Sequence, residues 1–214
     1  TLLEHWARVQ PEAVAVTDGS ATLTWRELNA EANRLAQLLA ECGIGAGDVV
    51  ALRLQNTARW VVMLLAVSKL QAVLLGINWR LVPEEANFML ENAGAKLLVL
   101  DDPKPQLLAA GITALPQSSI LPAADFFERQ PTHTAPERVM PELAQQIIFT
   151  SGTTGRPKGV MLQQRPDPAN PRLNRYLADM AGAYRHYTPE DVVLVSMPMH
   201  HGSGPSQVKS AMKG

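Results

Sequence analysis

The stretch DVVALRLQNTARWVVMLLAVSKLQAVLLGINWRLVPEEANFMLENAGAKLLVLD, residues 48–101, alternates short Val/Leu/Ile runs with segments of helical period. Asp48 to Leu54 reads as a strand, Thr57 to Leu70 as a helix and Ala72 to Ile77 as a strand. Pro83 to Asn92 reads as a helix closed by Gly94, and Lys96 to Asp101 as a further strand. Runs that are apolar at successive positions suit strands buried on both faces, and their alternation with helices calls for a parallel sheet. The expected fold class is α/β, with parallel-rich sheets covered by helices. Pro83 suits a first helical turn, where its missing N–H costs nothing, and Glu84 and Glu85 stand favourably against the helix dipole.

Towards the N-terminus, Leu2, Leu3, Trp6 and Val9 repeat at helical spacing until Pro11. Val14 to Thr17 and Ala21 to Trp25 flank Asp18-Gly19, a hairpin signal. Thr24 stands three before Glu27, the capping-box spacing. Leu28, Leu35, Leu38, Leu39 and Cys42 would line one side of a helix stopped by Gly43, with Glu27, Glu31 and Arg34 on its solvated side. Towards the C-terminus a less regular α/β stretch runs to about Gln130, and Pro131 to Pro141 reads as a surface connector. Trp6, Trp25, Trp60 and Trp79 read as packing anchors, and Met161, Met180, Met197, Met199 and Met212 as core filler.

The chain has 214 residues, with 19 Lys+Arg against 20 Asp+Glu and a formal net charge of -1. That balance gives no electrostatic case for nucleic acid or an anionic membrane as main partner. The most apolar segment, Val61 to Ile77, is interrupted by Ser68, Lys69 and Gln71 and falls short of the ~20 residues of a spanning helix, so no transmembrane segment is expected. No signal peptide is visible after Thr1. A single cysteine, Cys42, excludes an internal disulfide and a Cys-based zinc site, and fits a reducing, cytoplasmic compartment.

The chemistry concentrates between residues 147 and 162. The apolar run Ile147-Ile148-Phe149 leads into Thr150-Ser151-Gly152-Thr153-Thr154-Gly155-Arg156-Pro157-Lys158-Gly159, and Val160-Met161-Leu162 resumes an apolar strand. Gly152 and Gly155 let backbone N–H groups approach an anion closely, the hydroxyls of Ser151, Thr153 and Thr154 add donors, and Lys158 adds a flexible cation. The order is not that of a Walker loop, because Lys158 precedes Gly159 rather than Ser or Thr, and the glycines at 43, 45 and 47 miss the dinucleotide spacing. A hairpin connection that binds nothing is the alternative reading of the same residues.

The sequence from Phe149 to Val160 resembles the phosphate-binding signature of the adenylate-forming superfamily: acyl- and aryl-CoA synthetases, peptide-synthetase adenylation domains and luciferases. Leu23-Thr24-Trp25-Arg26-Glu27-Leu28, Asn78 to Lys96 and Pro198-Met199-His200-His201-Gly202-Ser203-Gly204 match in order, so the resemblance spans nearly the whole chain. Thr153-Thr154 and Asn78-Trp79-Arg80-Leu81 are similar to the CoA-synthetase branch. Leu70-Gln71-Ala72 departs from a small, Gly-containing turn, and the prolines at 166, 168 and 171 interrupt a stretch that usually runs into a helix.

The resemblance implies ATP-dependent activation of a carboxylic acid to an acyl-adenylate and pyrophosphate, followed by transfer to CoA. ATP, Mg²⁺ and CoA would then be cofactors, and a small carboxylic acid the partner. Thr150, Ser151, Gly152, Thr153, Thr154, Gly155 and Lys158 would hold the phosphates, and Lys158 would stabilise the leaving pyrophosphate. His201 would border the acyl channel and place the carboxylate, the alternative being a surface or capping histidine. Val192 to Met197 reads as a buried strand ending just before it. His200-His201 is discounted as a metal pair, since neighbours on a strand point apart and His186 is the only other histidine nearby; no protein metal ligand is assigned. Residues 1–214 would be the N-terminal part of an adenylation domain, the rest of that domain and a C-terminal lid domain lying outside the chain, and the fragment is not expected to act alone. A naturally short, non-catalytic phosphate- or partner-binding relative and a peptide-synthetase adenylation domain are the competing readings.

Overall fold

A computed structural model describes residues 2–101, 109–140, 144–150, 157–162, 171–172, 175, 187–188 and 190–213. The elements in order are α1 (Leu2–Val9), β1 (Val14–Thr17), β2 (Thr22–Thr24), α2 (Trp25–Glu41), β3 (Val49–Arg53), α3 (Ala58–Lys69), β4 (Val73–Gly76), α4 (Pro83–Ala93), β5 (Ala95–Leu100), β6 (Ile120–Pro122), α5 (Ala123–Glu128), β7 (Gln145–Thr150), β8 (Lys158–Leu162) and α6 (Ser203–Ala211). A six-stranded sheet has the order β6-β5-β3-β4-β7-β8. It is parallel from β6 to β7, and β8 closes it as an antiparallel edge.

The double-sided burial expected from the apolar runs is present. Val50, Leu52, Leu74, Leu97 and Val99 face a core shared with α2, α3, α5 and α6, which contains the fully buried Trp60. Val49, Ala51, Val73, Leu75, Leu98, Leu100 and Ile147 face the other core, against Ala86, Met89 and Leu90 of α4. Each fully buried Leu or Val contributes about 1.5–3 kcal/mol relative to exposure. Among the described residues no helix is long and apolar enough to cross a membrane.

Local chemistry explains the helix ends. At α2 the Glu27 N–H donates to Thr24 Oγ1 at 3.3 Å while the Thr24 N–H donates to Glu27 Oε2 at 2.8 Å, completing the capping box. Thr57 makes no side-chain cap for α3. Asp18, in the β1–β2 turn, does so instead, accepting the Ala58 N–H at 2.8 Å through Oδ2 and the Ser20 and Ala21 N–H groups through Oδ1. The Ala58 bond, with the Ser20 hydroxyl and Ala21 N–H, holds the Asp18 carboxyl well below the usual carboxylate range. Gly94 closes α4 in the left-handed conformation at φ 62°.

Residues 131–140 lie along α2 as a tethered strap. The Glu41 carboxylate accepts the Thr132 N–H and hydroxyl, Asn33 Oδ1 accepts the Arg138 N–H at 3.1 Å, and Asn33 Nδ2 donates to Glu137 at 2.8 Å. Beneath the strap the Lys69 ammonium is fully buried and donates to Glu4 Oε1 at 2.9 Å, Asn29 Oδ1 at 2.9 Å and the Arg138 carbonyl at 2.6 Å.

Four single residues and one segment differ from expectation. Cys42 does not line the α2 core face: it is the C-cap, and the helix turns away through Gly43 at φ +80°, which leaves it exposed. Arg34 is not simply solvated, since it pairs with Glu31 and donates to the carbonyls of Phe127 and Arg129, fastening α2 to the end of α5. Met199 and Met212 are core residues as expected, whereas Met161 and Met197 are exposed. Val192 to Met197 is not a buried strand: no described strand pairs with it, and Val192 and Leu194 are 95% and 82% exposed. An apolar run becomes a strand only where a neighbour supplies its ladder bonds.

Candidate functional site

In the parallel part of the sheet all strands end at one edge, the place where open α/β sheets gather ligands. β3 ends at Arg53, β4 at Gly76 and β7 at Thr150. Here Thr150 stands directly opposite Lys158, the first residue of β8, so both begin the mouth of the β7–β8 hairpin and both are exposed. The hydroxyl and the cationic side chain thus leave the sheet from adjacent positions on one face. Ser151, Gly152, Thr153, Thr154 and Gly155 lie outside the described residues, as do Met180, His186 and the prolines at 166 and 168.

The turn carrying His200 and His201 sits on that same face. Ile148, two residues before Thr150 and therefore on the same side of β7, approaches Gly202 so closely that a Cβ there would stand 2.7 Å from Ile148 Cδ1. On the other flank a Cβ at Gly76 would stand 2.6 Å from His200 Cα and 2.8 Å from the His200 carbonyl oxygen. The missing side chains let the turn press against the ends of both β4 and β7. Asn56, between β3 and α3, fixes it by hydrogen bonding: Nδ2 donates to the Met197 carbonyl and Oδ1 accepts the Met199 N–H, each at 3.0 Å. Inside the turn the His201 N–H donates to the Pro198 carbonyl at 3.1 Å.

The two imidazoles are unlike. His200 is buried, and desolvation, followed by the fields of His201 and Arg80, pushes its pKa down to about 4. His201 is exposed. Their ring centroids are 4.4 Å apart with a 49° tilt, which corrects the expectation that neighbouring histidines would point apart, because a turn rather than a strand carries them. Among the described residues no group of three or more His, Cys, Asp or Glu side chains could hold a metal ion. Arg80 stacks over Trp79, its guanidinium carbon 4.6 Å from the ring centroid, which steadies a cation near His200.

Lys158 and Thr150 were legible as site candidates from the loop composition, and His201 from the resemblance. Asn56 and Gly76 were not read as site residues. Their signal is positional, a polar Asn just after one buried parallel strand and a Gly ending the next.

A family profile described as AMP-binding enzyme matches residues 3–212. The chain belongs to the AMP-binding enzyme family. It is 34% identical over 167 residues to a probable non-canonical nonribosomal peptide synthetase, CymA, of Salinispora arenicola, with 76% of the chain and 2% of that protein covered. It is 30% identical over 202 residues to a fatty acid–[acyl-carrier-protein] ligase, ScoC, of Streptomyces coeruleorubidus, covering 92% of the chain and 38% of that relative. Its fold superposes with a TM-score of 0.78 and 25% identity on o-succinylbenzoate coenzyme A synthetase (MenE) from Bacillus subtilis in complex with ATP and magnesium ion, covering 100% of the chain and 55% of that one. The chain therefore spans well under two-thirds of the length of each. These relatives agree with an α/β fold of the kind found in the N-terminal part of adenylate-forming enzymes.

Proposed function

We propose that residues 1–214 form the N-terminal part of the adenylation domain of a cytoplasmic acid–thiol ligase, whose first reaction joins a small carboxylic acid to AMP. The observation that carries this reading is the Thr150–Lys158 pair at the mouth of the β7–β8 hairpin, on the face that also receives the His201 turn. A carboxylate is already an ionised nucleophile at neutral pH, so the barrier is the approach of an anion to a polyanion. Donors and a cation held in advance lower such a barrier.

In this reading Thr150, Ser151, Gly152, Thr153, Thr154 and Gly155 cradle the β- and γ-phosphates, and Lys158 balances charge on the departing pyrophosphate. His201 donates a hydrogen bond to the carboxylate. The carboxylate oxygen attacks the α-phosphorus and the bond from that phosphorus to the β-bridging oxygen breaks, giving acyl-AMP and pyrophosphate. A thiol then adds to the acyl carbon and AMP leaves, forming a thioester. Magnesium enters with ATP as part of the substrate.

CoA is the proposed thiol, supported by the likeness to MenE and by Asn78-Trp79-Arg80-Leu81 and Thr153-Thr154. A carrier-protein thiol is the second reading, favoured by the likeness to CymA and ScoC. The test is ATP–pyrophosphate exchange by the complete enzyme over a panel of fatty and aromatic acids, followed by AMP release with CoA or a phosphopantetheinylated carrier protein. Acid-dependent exchange is expected; a panel that yields none overturns the adenylation reading, and the thiol that releases AMP decides between acceptors.

A further inference from the structure

Asn56 bonds to the Met197 carbonyl and the Met199 N–H, the two groups flanking Pro198. A residue in a parallel strand bridges its neighbour in that way, accepting from one residue and donating to another two positions earlier. The side-chain amide thus supplies a single ladder rung to a segment that no described strand pairs. Residues 192–196, upstream, belong to no described strand, and Val192 and Leu194 among them are exposed. The glycine contacts at Gly76 and Gly202 limit how near the turn can come, but steric contacts do not set its rotation. The paired hydrogen bonds do, since they need a donor and an acceptor in one plane, a combination that Asn carries and Asp or Leu does not.

We propose that Asn56 is the positioning residue for His201: its amide fixes the Met197–Met199 backbone, so that the turn buries His200 and presents the His201 imidazole on the Thr150–Lys158 face. The inference rests on the adenylation reading for its kinetic consequence, and on the geometry alone for its structural one. Asn56 touches no reacting atom. It acts on the carboxylate only through His201.

The structural test uses the complete enzyme, with ¹⁵N-labelled imidazoles and amide hydrogen exchange, comparing wild type with Asn56→Ala and Asn56→Asp. Asn56→Asp keeps the size and the acceptor for Met199 while losing the donor to Met197, so it remains informative if Asn56→Ala does not fold. In both variants the His201 ring resonances shift, and Asn56→Ala lowers exchange protection at the Met199 N–H by about tenfold, the size expected for one lost hydrogen bond. The amides of β3, β4 and β5 stay as in wild type. Unchanged His201 ring resonances in either folded variant overturn the inference.

The kinetic test uses octanoate and benzoate as probes in pyrophosphate exchange by the complete enzyme. Asn56→Ala raises the KM for the accepted acid by about tenfold and leaves the KM for ATP unaltered. Combined with His201→Ala it adds nothing further, because a positioning residue has no effect once its target is gone. Equal effects with and without His201, or an unchanged acid KM, overturn the inference. Absence of exchange in the wild type with both probes leaves the acid undetermined, and the NMR comparison then decides the role of Asn56 independently.

Discussion

Gly76 touches the backbone of His200 where any side chain would collide. A Cβ placed there would lie 2.6 Å from His200 Cα and 2.8 Å from its carbonyl oxygen. Backbone cannot swing aside as a long side chain can, so Gly76→Ala must move either the end of β4 or the turn. Overpacking of this kind costs roughly 1–3 kcal/mol. Urea denaturation should show a lowered midpoint with an unaltered slope, and an unchanged midpoint would refute the close approach.

The buried imidazole of His200 predicts a pH dependence. Its folded pKa, about 4, lies below the ordinary value of 6.5, through desolvation first and then His201 and Arg80. The unfolded chain therefore binds a proton more readily than the folded one between these values. Stability from the neutral ring is complete above about pH 6.5 and declines as pH falls towards 4. His200→Phe should flatten that limb in thermal unfolding measured across the range, and a slope identical to wild type would count against the assignment.

Lys69 and Glu4 predict a second acid-sensitive contribution. Burial raises the Glu4 pKa, but the Lys69 hydrogen bond and the Met140 N–H outweigh it and hold the carboxyl below its ordinary value. A depressed carboxyl contributes stability above the unfolded pKa and loses it as pH falls through the folded one. Lys69→Met should cost about 3 kcal/mol, since it strands buried acceptors from α1, α2 and the strap. Glu4→Gln should cost less, because Asn29 and the Arg138 carbonyl still receive the ammonium. Equal losses in the two variants would show that Glu4 alone carries the network.

Gln71 is held at φ 56°, a left-handed conformation that glycine adopts freely, and its carbonyl accepts the Gly47 N–H at 3.0 Å. Relief of that strain exceeds the extra freedom glycine gives the unfolded chain, so Gln71→Gly should gain roughly 0.5 kcal/mol. Chemical denaturation gives the number, and a loss of stability would mean that the Gln71 side chain contributes more than its backbone strain costs.

Lys158→Ala bears on the proposed chemistry. Loss of a cation aimed at a leaving polyanion should slow acyl-adenylate formation by about 10²–10³-fold. Transfer from a preformed acyl-adenylate to the thiol should change little, since pyrophosphate has already departed. Single-turnover measurements of each half-reaction separate the two, and equal slowing of both would remove the assigned role.

Much of this architecture is written locally. Thr24 and Glu27 declare the start of α2, Gly94 the end of α4, and uninterrupted apolar runs at 49–52, 73–76 and 97–100 the parallel strands. The loop after Phe149 stands out as a candidate phosphate grip through residue type and order. What escaped notice depends on partners distant in sequence. Val192 to Met197 has the composition of a buried strand, yet composition does not report whether a neighbouring strand exists. Arg34 reads as a surface charge until the carbonyls of Phe127 and Arg129 arrive beside it. Asn56 is an ordinary loop polar residue until residues 197–199 come to it across more than 140 positions.

The same dependence on distance governs when the fold can close. Trp6 stacks on Trp25 and donates its indole N–H to the Met212 carbonyl at 2.7 Å, across 206 positions. During synthesis Trp6 is made 206 positions before this acceptor. Until residue 212 is made the indole N–H lacks that acceptor, while Leu3 and Glu4 of α1 already have partners in the core and at Lys69. The packing of α1 is therefore completed only once α6 has been translated.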